Sequence, residues 1–139
     1  MSDVDLPGLL ADASLAGAYH VEPGARASVV EAARLLGHEF AAIDLVGCTD
    51  KAQVLQRFAG ALDFPDWFGG NWDALADCLD DLSWRPADGY VLWLEHAQAW
   101  RDADEAGFAT LVELADGVAA SWAQDGVPFW LLLPLPAGG

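Results

Sequence analysis

The sequence is poor in basic residues. Lys and Arg together number 6 against 22 Asp and Glu, which gives a formal net charge of −16 over 139 residues. Because binding to nucleic-acid phosphates depends on Lys and Arg, this composition excludes nucleic acid as a direct ligand. It also argues against binding to anionic membrane surfaces. The acidity suits a basic protein partner, although excess acid is also a common way to keep a protein in solution.

Cysteines, export signals and long apolar runs are also lacking. The two cysteines, Cys48 and Cys78, are too few for a disulfide scaffold, so we expect reduced thiols, with Cys78 buried as a small apolar side chain. The first five residues, MSDVD, lack the basic segment of an export signal, and no apolar run approaches the length of a membrane span. The expectation is a cytoplasmic protein.

The patterns of metal sites and of catalytic residues are missing as well. His20, His38 and His96 are scattered, and none has a second His or Cys at the spacing of metal ligands. Asp73 and Asp77, four residues apart, could in principle hold a divalent cation or act as an acid–base pair, but one exposed helix face does not enclose a substrate. We therefore predict a protein that is not an enzyme and that needs no metal or other cofactor.

The residues that are present predict one α/β domain. Hydrophobic residues make up 54% of the chain, enough for a buried core. Apolar strands separated by helices indicate a small, mainly parallel sheet, which we predict to have three strands, with the N-terminal extension as one extra strand–helix unit at a sheet edge. The predicted strands are Gly17–Val21, Phe40–Val46, Tyr90–Leu94 and Phe129–Leu133. The predicted helices run from Gly24 or Ser28 to Leu36, from Thr49 or Asp50 to Ala61, over one or two turns within Glu95–Arg101, and from Asp104 to Ala123. The first sixteen residues are either frayed or a short helix.

The most informative stretch is Phe64–Trp84, FPDWFGGNWDALADCLDDLSW, which has five aspartates and no basic residue. Its second half predicts a helix with Asn71 as the N-cap, since an Asn side chain accepts the free amide protons of a first helical turn. Helical spacing divides the residues between two faces. The apolar face carries Trp72, Leu75, Cys78, Leu79 and Leu82, and the acidic face carries Asp73, Asp77, Asp80 and Asp81.

The preceding loop, Phe64–Gly70, combines aromatic side chains with a Gly-Gly pair. Pro65 disfavours helical geometry before it, and the glycines permit a positive φ or the close approach of another backbone. Such a loop beside an acidic helix is suited to a cationic, concave partner. The alternative interpretation is that Trp67 and Phe68 pack beneath the loop and that the aspartates form an ordinary solvated face.

The pattern FPxWFGxNWDALxDCLxDL resembles the signature of the barstar family, the intracellular protein inhibitors of secreted bacterial ribonucleases. The specific agreement covers about twenty residues, and the looser agreement in the order of helices and strands extends from about Phe40 to Leu133. The resemblance implies a bacterial cytoplasmic inhibitor whose loop and acidic helix plug the active site of a guanyl-specific ribonuclease. It also implies a 1:1 complex with a basic secreted enzyme, formed by a free monomer, as in an immunity protein.

The resemblance assigns roles to individual residues. Asp77 matches the chief carboxylate that mimics an RNA phosphate, and Asp73 matches its companion at the helix start. Trp67 matches a tyrosine that stacks in the enzyme active site, Gly69 a glycine whose backbone contacts the enzyme, and Asn71 the asparagine that shapes the loop. The whole candidate surface also includes Phe68, Gly70, Trp72 and Asp80.

Three departures from the family pattern bear on affinity. Ala76 stands where the family has an interface tryptophan, for which Trp72 would be a substitute if it did not pack in the core. Gly70 replaces an acidic residue, and a glutamate of the last long helix falls near Ser121. Compensation from the acidic residues Glu113, Asp116 or Asp125 is left open by the sequence.

The chain divides, on this interpretation, into an extension at 1–39, a barstar-like domain at 40–134 and a flexible tail at 135–139. Two other functions remain open. The fold could serve as an interaction or regulatory module with no ribonuclease partner, because a fold alone does not settle function. The acidity would also suit a DNA mimic that acts on a nucleic-acid-binding protein, although that reading does not explain the loop.

Overall fold

The structure of the protein is a computed structural model, which describes residues 6–66 and 68–134. The helices are α1 (Leu6–Leu10), α2 (Arg26–Leu36), α3 (Lys51–Leu62), α4 (Trp72–Asp81), α5 (Gln98–Ala103) and α6 (Glu105–Gln124). The strands are β1 (Ala18–His20), β2 (Glu39–Asp44), β3 (Tyr90–Glu95) and β4 (Phe129–Leu133). Short 3₁₀ turns occupy Ala13–Leu15 and Pro23–Ala25. The predicted α/β class is confirmed.

The strands form one parallel sheet in the order β1-β4-β3-β2. The prediction of a three-stranded sheet is therefore wrong by one strand. The predicted N-terminal strand does form, and it joins the sheet at its edge, with Ala18 opposite Leu131 of β4. Gly17 permits this pairing because the Asp116 carboxylate comes so close that an added Cβ would lie 2.8 Å from its Oδ1.

The sheet separates two hydrophobic cores. On one face, α3, α4, α5 and α6 cover the side chains of Ile43, Leu92 and Leu131. On the other face, α1 and α2 pack against alternate residues of β3 and β4, among them Trp93 and Trp130. The central strands β3 and β4 are therefore buried on both faces, as their continuous apolar sequences predict.

Local side-chain chemistry fixes the ends of the helices. Asp50, rather than Thr49, caps α3, because its Oδ1 accepts the Gln53 amide at 2.9 Å. Gly37 ends α2 with φ +72°, a left-handed value that glycine adopts without strain. Strand β2 ends at Asp44, before the predicted Val46, because the Asp44 side chain turns back to accept the Val46 amide at 3.0 Å. From the end of α3 at Leu62, the chain passes through a loop to the start of α4 at Trp72.

The described residues contain neither a helix that could span a membrane nor a cluster of potential metal ligands. None of the helices at 6–66 or 68–134 combines the length and apolarity needed to cross a bilayer. Within the same residues, no cluster of three or more His, Cys, Asp or Glu side chains is placed to hold a metal ion.

Candidate partner-binding site

The start of α4 is fixed by Asn71. Its backbone is extended, and its Oδ1 accepts the amide proton of Ala74 at 2.7 Å, which satisfies one of the free donors of the first turn. The predicted N-cap is thus confirmed. Asp73 lies in the same first turn, where its carboxylate is favoured by the positive end of the helix dipole.

The apolar face of α4 is anchored in the core. Leu75, Cys78 and Leu79 are at most 1% exposed. The indole Nε1 of Trp122 in α6 donates to the backbone carbonyl of Leu79 at 2.8 Å, so α6 holds α4 by a hydrogen bond as well as by packing. The helix ends at Leu82, which has a left-handed backbone conformation and whose amide donates to the carbonyl of Cys78. The orientation of α4 is therefore set by its buried face.

The thiols have the state that the sequence predicts. Cys48 and Cys78 are both buried and free. Burial raises the pKa of the Cys78 thiol, and the nearby carboxylates of Asp77 and Asp81 raise it further. The same two effects show that the acidic face begins immediately beside the buried one.

The opposite face of α4 presents carboxylates to solvent. Asp73, Asp77, Asp80 and Asp81 are all exposed, as predicted. Burial raises the pKa of Asp80, and the charge of Asp77 raises it further, so the two carboxylates repel each other. A surface of this kind is stabilised by any cation that approaches it.

Several of the basic side chains are engaged away from α4. Arg26 pairs with Glu95 and Arg34 with Glu31. Arg85 bridges Glu39 and Asp63. The stretch from 64 to 84 contributes five carboxylates and no basic residue, so the acidic face is a local concentration of the chain's negative charge.

The loop before α4 rests on stacked aromatic rings. The rings of Phe64 and Phe68 lie 4.9 Å apart in an edge-to-face arrangement, and Phe64 contacts Trp84 at 6.1 Å. The Trp84 indole in turn donates to the carbonyl of Leu62 at 2.9 Å, which ties the loop to the end of α3. Phe68 is half-buried, so the alternative interpretation, packing beneath the loop, describes its position. Trp67, the other half of the predicted aromatic pair, lies outside the described residues.

The two glycines of the loop have different reasons to be glycine. Gly70 has φ +70°, a conformation that side chains rarely adopt, and the space around it is open. An added Cβ at Gly69 would meet Ala74 and Asn71 only at ordinary contact distances of 3.7 Å. The backbone conformation therefore favours a glycine at 70, whereas Gly69 is exposed and is not required by the packing within this chain.

The remaining candidates are separated by their packing. Trp72 is half-buried and lies 6.4 Å, ring to ring, from the fully buried Trp100, so it packs against the core as the sequence favoured. Asp116 is used within the fold, because its Oδ1 accepts the amide proton of Ala18 at 2.8 Å. Ser121, Glu113 and Asp125 are exposed. Glu113 and Asp125 thus remain candidates for the compensating acidic residue.

Sequence reasoning missed the contacts that join the end of α3, strand β2, the turn after α4 and strand β3. Arg85 donates to Asp63 at 2.8 Å and also bonds to Glu39, and these bonds raise the pKa of its guanidinium, with the Glu39 bond contributing most. The Tyr90 hydroxyl donates to the Arg85 carbonyl at 2.8 Å. No sequence spacing signals these contacts, because the partners come from four separate segments.

Comparison with protein families gives a match over most of the chain. A family model described as Barstar (barnase inhibitor) matches residues 38–134, a span that includes β2, α4 and β4. A search of curated proteins finds no match.

Proposed function

The chain belongs to the barstar family, and from that membership we propose that it is a protein inhibitor of a bacterial extracellular ribonuclease of the guanyl-specific type. The family is one of barnase inhibitors and not of enzymes. The observation that carries the proposal is the construction of α4: one face is locked in the core and the other holds exposed carboxylates at a helical spacing.

The proposed mechanism is competition for the phosphate sites of the enzyme. A ribonuclease active site is a cationic cleft, and carboxylates that enter it form charge-assisted hydrogen bonds with Arg, Lys and protonated His side chains. Asp77, in the middle of α4, is the principal phosphate mimic, and Asp73, one turn earlier, is its companion. Asp80 extends the same face, and its repulsion by Asp77 is relieved when a cation docks between them.

The loop supplies the rest of the proposed contact surface. Gly69 is exposed, so its backbone is free to meet the enzyme, and Gly70 and Asn71 set the path of the chain there. Trp67 is the stacking residue by its match to the family's tyrosine. Phe68 and Trp72 act from below, because their half-buried rings hold the loop and the helix start in place. Preorganisation of this kind lowers the entropic cost of binding.

The missing interface aromatic at Ala76 narrows the range of targets. Ala76 lies on α4 between Asp73 and Asp77, and it offers a methyl group where the family offers an indole. A partner would therefore make more of its contact with the carboxylates and less with an aromatic side chain. We propose a target ribonuclease whose active site differs at this point from that of the family's best-known enzyme.

An inhibitor of this kind acts where the ribonuclease is made, before secretion. We therefore propose that the protein works in the bacterial cytoplasm as an immunity protein, with one chain per enzyme molecule. The two free, buried thiols are compatible with a reducing compartment.

The experiment is a pull-down with guanyl-specific microbial ribonucleases, followed by an assay of RNA cleavage. The captured enzyme should be basic, and its cleavage of RNA should stop at one equivalent of inhibitor. Failure to capture or inhibit any ribonuclease across a panel would reject the proposal. That result would favour a barstar-like interaction or regulatory module.

A further inference from the structure

An apolar patch surrounds α1, on the face of the sheet opposite α4. Among the described residues, five large apolar side chains are substantially exposed, and four of them lie in the first 36 residues: Leu9, Leu15, Tyr19 and Leu35, with Val46 as the fifth. The helices on this side, α1 and α2, pack against Trp93 and Trp130, whereas α4 packs on the other core. The patch is therefore separate from the proposed ribonuclease site.

The patch contains a groove of about 450 Å³ between α1, β1 and α2. Its lining includes Leu6, Leu9, Leu15, Tyr19 and Trp130. The two polar groups among these side chains are already satisfied within the chain: the Tyr19 hydroxyl donates to the Leu15 carbonyl, and the Trp130 indole donates to the Leu10 carbonyl at 3.0 Å. The groove therefore offers an occupant apolar contact and no hydrogen bond from these two side chains.

A second groove continues the patch on the far side of α1. Leu6 lines both grooves, and the second reaches Leu35 on α2, which is 62% exposed. We call the surface formed by Leu6, Leu9, Leu15, Tyr19 and Leu35 the α1 patch. Contiguous exposed apolar surface of this kind marks an interaction site more often than scattered apolar side chains do.

The net charge near the α1 patch bears on whether a second copy of this acidic chain can bind there. The first 36 residues carry five acids, Asp3, Asp5, Asp12, Glu22 and Glu31, against two arginines, Arg26 and Arg34, so their net charge is −3 out of −16 for the chain. Arg34 pairs with Glu31 inside this segment. Because the remaining residues carry the other 13 net negative charges, two copies of the chain repel each other less when they meet here than through those residues.

We propose that the α1 patch is the interface of a homodimer in which two copies pack these apolar side chains against each other around a two-fold axis. The contact is between side chains and does not extend the sheet, because the outward Ala18 amide of edge strand β1 is occupied by the Asp116 carboxylate at 2.8 Å. The dimer differs from the free monomer that the sequence led us to expect. It leaves both copies of α4 exposed, so each copy still binds one ribonuclease.

The size of the patch sets the strength of the association. The exposed fractions of Leu9, Leu15, Tyr19 and Leu35 range from 39% to 62%. Together they leave on the order of 400 Å² of apolar surface per copy, which is about half the share of each partner in a standard interface. An interface of this size is smaller than that of most stable complexes, so we expect a weak, reversible dimer.

Sedimentation velocity of the full chain tests this proposal from low micromolar to submillimolar concentration. The wild type should shift from monomer to dimer over that range. The double variant Leu9→Gln/Leu35→Gln removes two exposed apolar side chains without changing charge, and it should weaken dimerisation at least tenfold. Val46→Gln is the control, because Val46 is 54% exposed, between Leu9 and Leu35, but lies outside the α1 patch, and the dimerisation of this variant should equal that of the wild type. Thermal unfolding of all three should confirm an intact fold.

Several outcomes would overturn the proposal. A wild type that stays monomeric throughout, or equal weakening by the double variant and by Val46→Gln, rejects the α1 patch as an interface. A monomer that binds 1-anilinonaphthalene-8-sulfonate saturably would assign the groove to a small apolar ligand. A monomer with nuclear Overhauser contacts from residues 1–5 to Leu9 would assign it to the chain's own segment. The Asp77→Ala variant should dimerise like the wild type. The outcome of the dimerisation test is therefore independent of whether the protein inhibits a ribonuclease.

Discussion

Asp77 is the residue on which the inhibitor mechanism most depends. It lies on the exposed face of α4, three residues before Asp80, and its side chain fills no core volume. The Asp77→Ala substitution should therefore leave the free energy of unfolding within about half a kcal/mol of the wild type, as surface substitutions usually do. Any change should be towards greater stability, since alanine is the better helix former and the repulsion with Asp80 is removed.

The effect on binding should be much larger. In the complex, Asp77 would be desolvated against several cationic groups, and truncation would leave those charges buried and unpaired. The expected loss is at least ~2 kcal/mol of binding free energy, the general threshold for a hot spot, for which this family's founding inhibitor is itself one of the known examples. Such a loss corresponds to a roughly 30-fold increase in Kd, seen mainly as faster dissociation.

Surface plasmon resonance against the captured ribonuclease measures this change directly. Asp80→Ala is the matched control, because it removes a carboxylate from the same face nearer the C-terminal end of α4, and it should cost much less. If the two substitutions weakened binding equally, or if neither did, Asp77 would not be the phosphate mimic.

The remaining predictions concern association, the thiols and two local interactions. The association rate with a basic ribonuclease should fall steeply as salt rises, as electrostatic steering requires, an effect known from the founding pair of this family; a rate independent of ionic strength would mean that another surface docks. Cys78 should react with a thiol-specific reagent only as fast as the native state opens, because it is fully buried and its pKa is raised; modification at the rate of a free cysteine would contradict this. Asn71→Ala should lower stability by about 1 kcal/mol in urea unfolding, whereas Asn71→Asp should retain the cap, and equal losses would show that the cap is not the cause. The hydrogen bond between His96 and Asp44, at 2.7 Å, raises the pKa of His96 and lowers that of Asp44. The His96 contribution is fully present below the ordinary histidine pKa of about 6.5 and is lost as pH rises through the raised value. The Asp44 contribution is present above the ordinary aspartate pKa and is lost as pH falls through the lowered value. As pH rises from about 6.5 through the raised pKa of His96, the wild type should therefore lose more stability than His96→Asn. Parallel curves of unfolding free energy against pH for the two proteins would reject this assignment.

The sequence predicts α4 well because its signals are local. The Asn71 cap, the apolar spacing at Leu75 and Leu79 and the acidic spacing on the other side all point to one orientation, and the structure has that orientation. The buried strands β3 and β4 follow in the same way from continuous apolar runs bounded by turns.

Contacts between distant segments could not be predicted. The amide of Leu131 donates to the carbonyl of Gly17 at 3.0 Å, a pairing across more than a hundred residues that no local pattern records. The sheet therefore has four strands and not three, although the N-terminal strand does lie at a sheet edge, as predicted. The use of Asp116 to hold the Ala18 amide is a second contact of this kind, and it removes one of three acids that look equivalent in the sequence.

The details of the loop depended on backbone geometry. The sequence presents Gly69 and Gly70 as a pair, but a positive φ occurs only at Gly70. The burial of Phe68 likewise depends on where Phe64 and Trp84 meet, which involves the end of α3 and the turn after α4. Residue type therefore identified the loop as a candidate site, whereas only the structure separates its supporting residues from its exposed ones.

Competition with a substrate analogue tests the central claim most directly. A guanosine mononucleotide occupies the phosphate and base sites of a guanyl-specific ribonuclease, so the apparent Kd of the inhibitor should rise in proportion to the nucleotide concentration. The intercept of that dependence divided by its slope should equal the separately measured Kd of the nucleotide for the enzyme. An apparent Kd unaffected by saturating nucleotide would show that the acidic face of α4 does not occupy the active site.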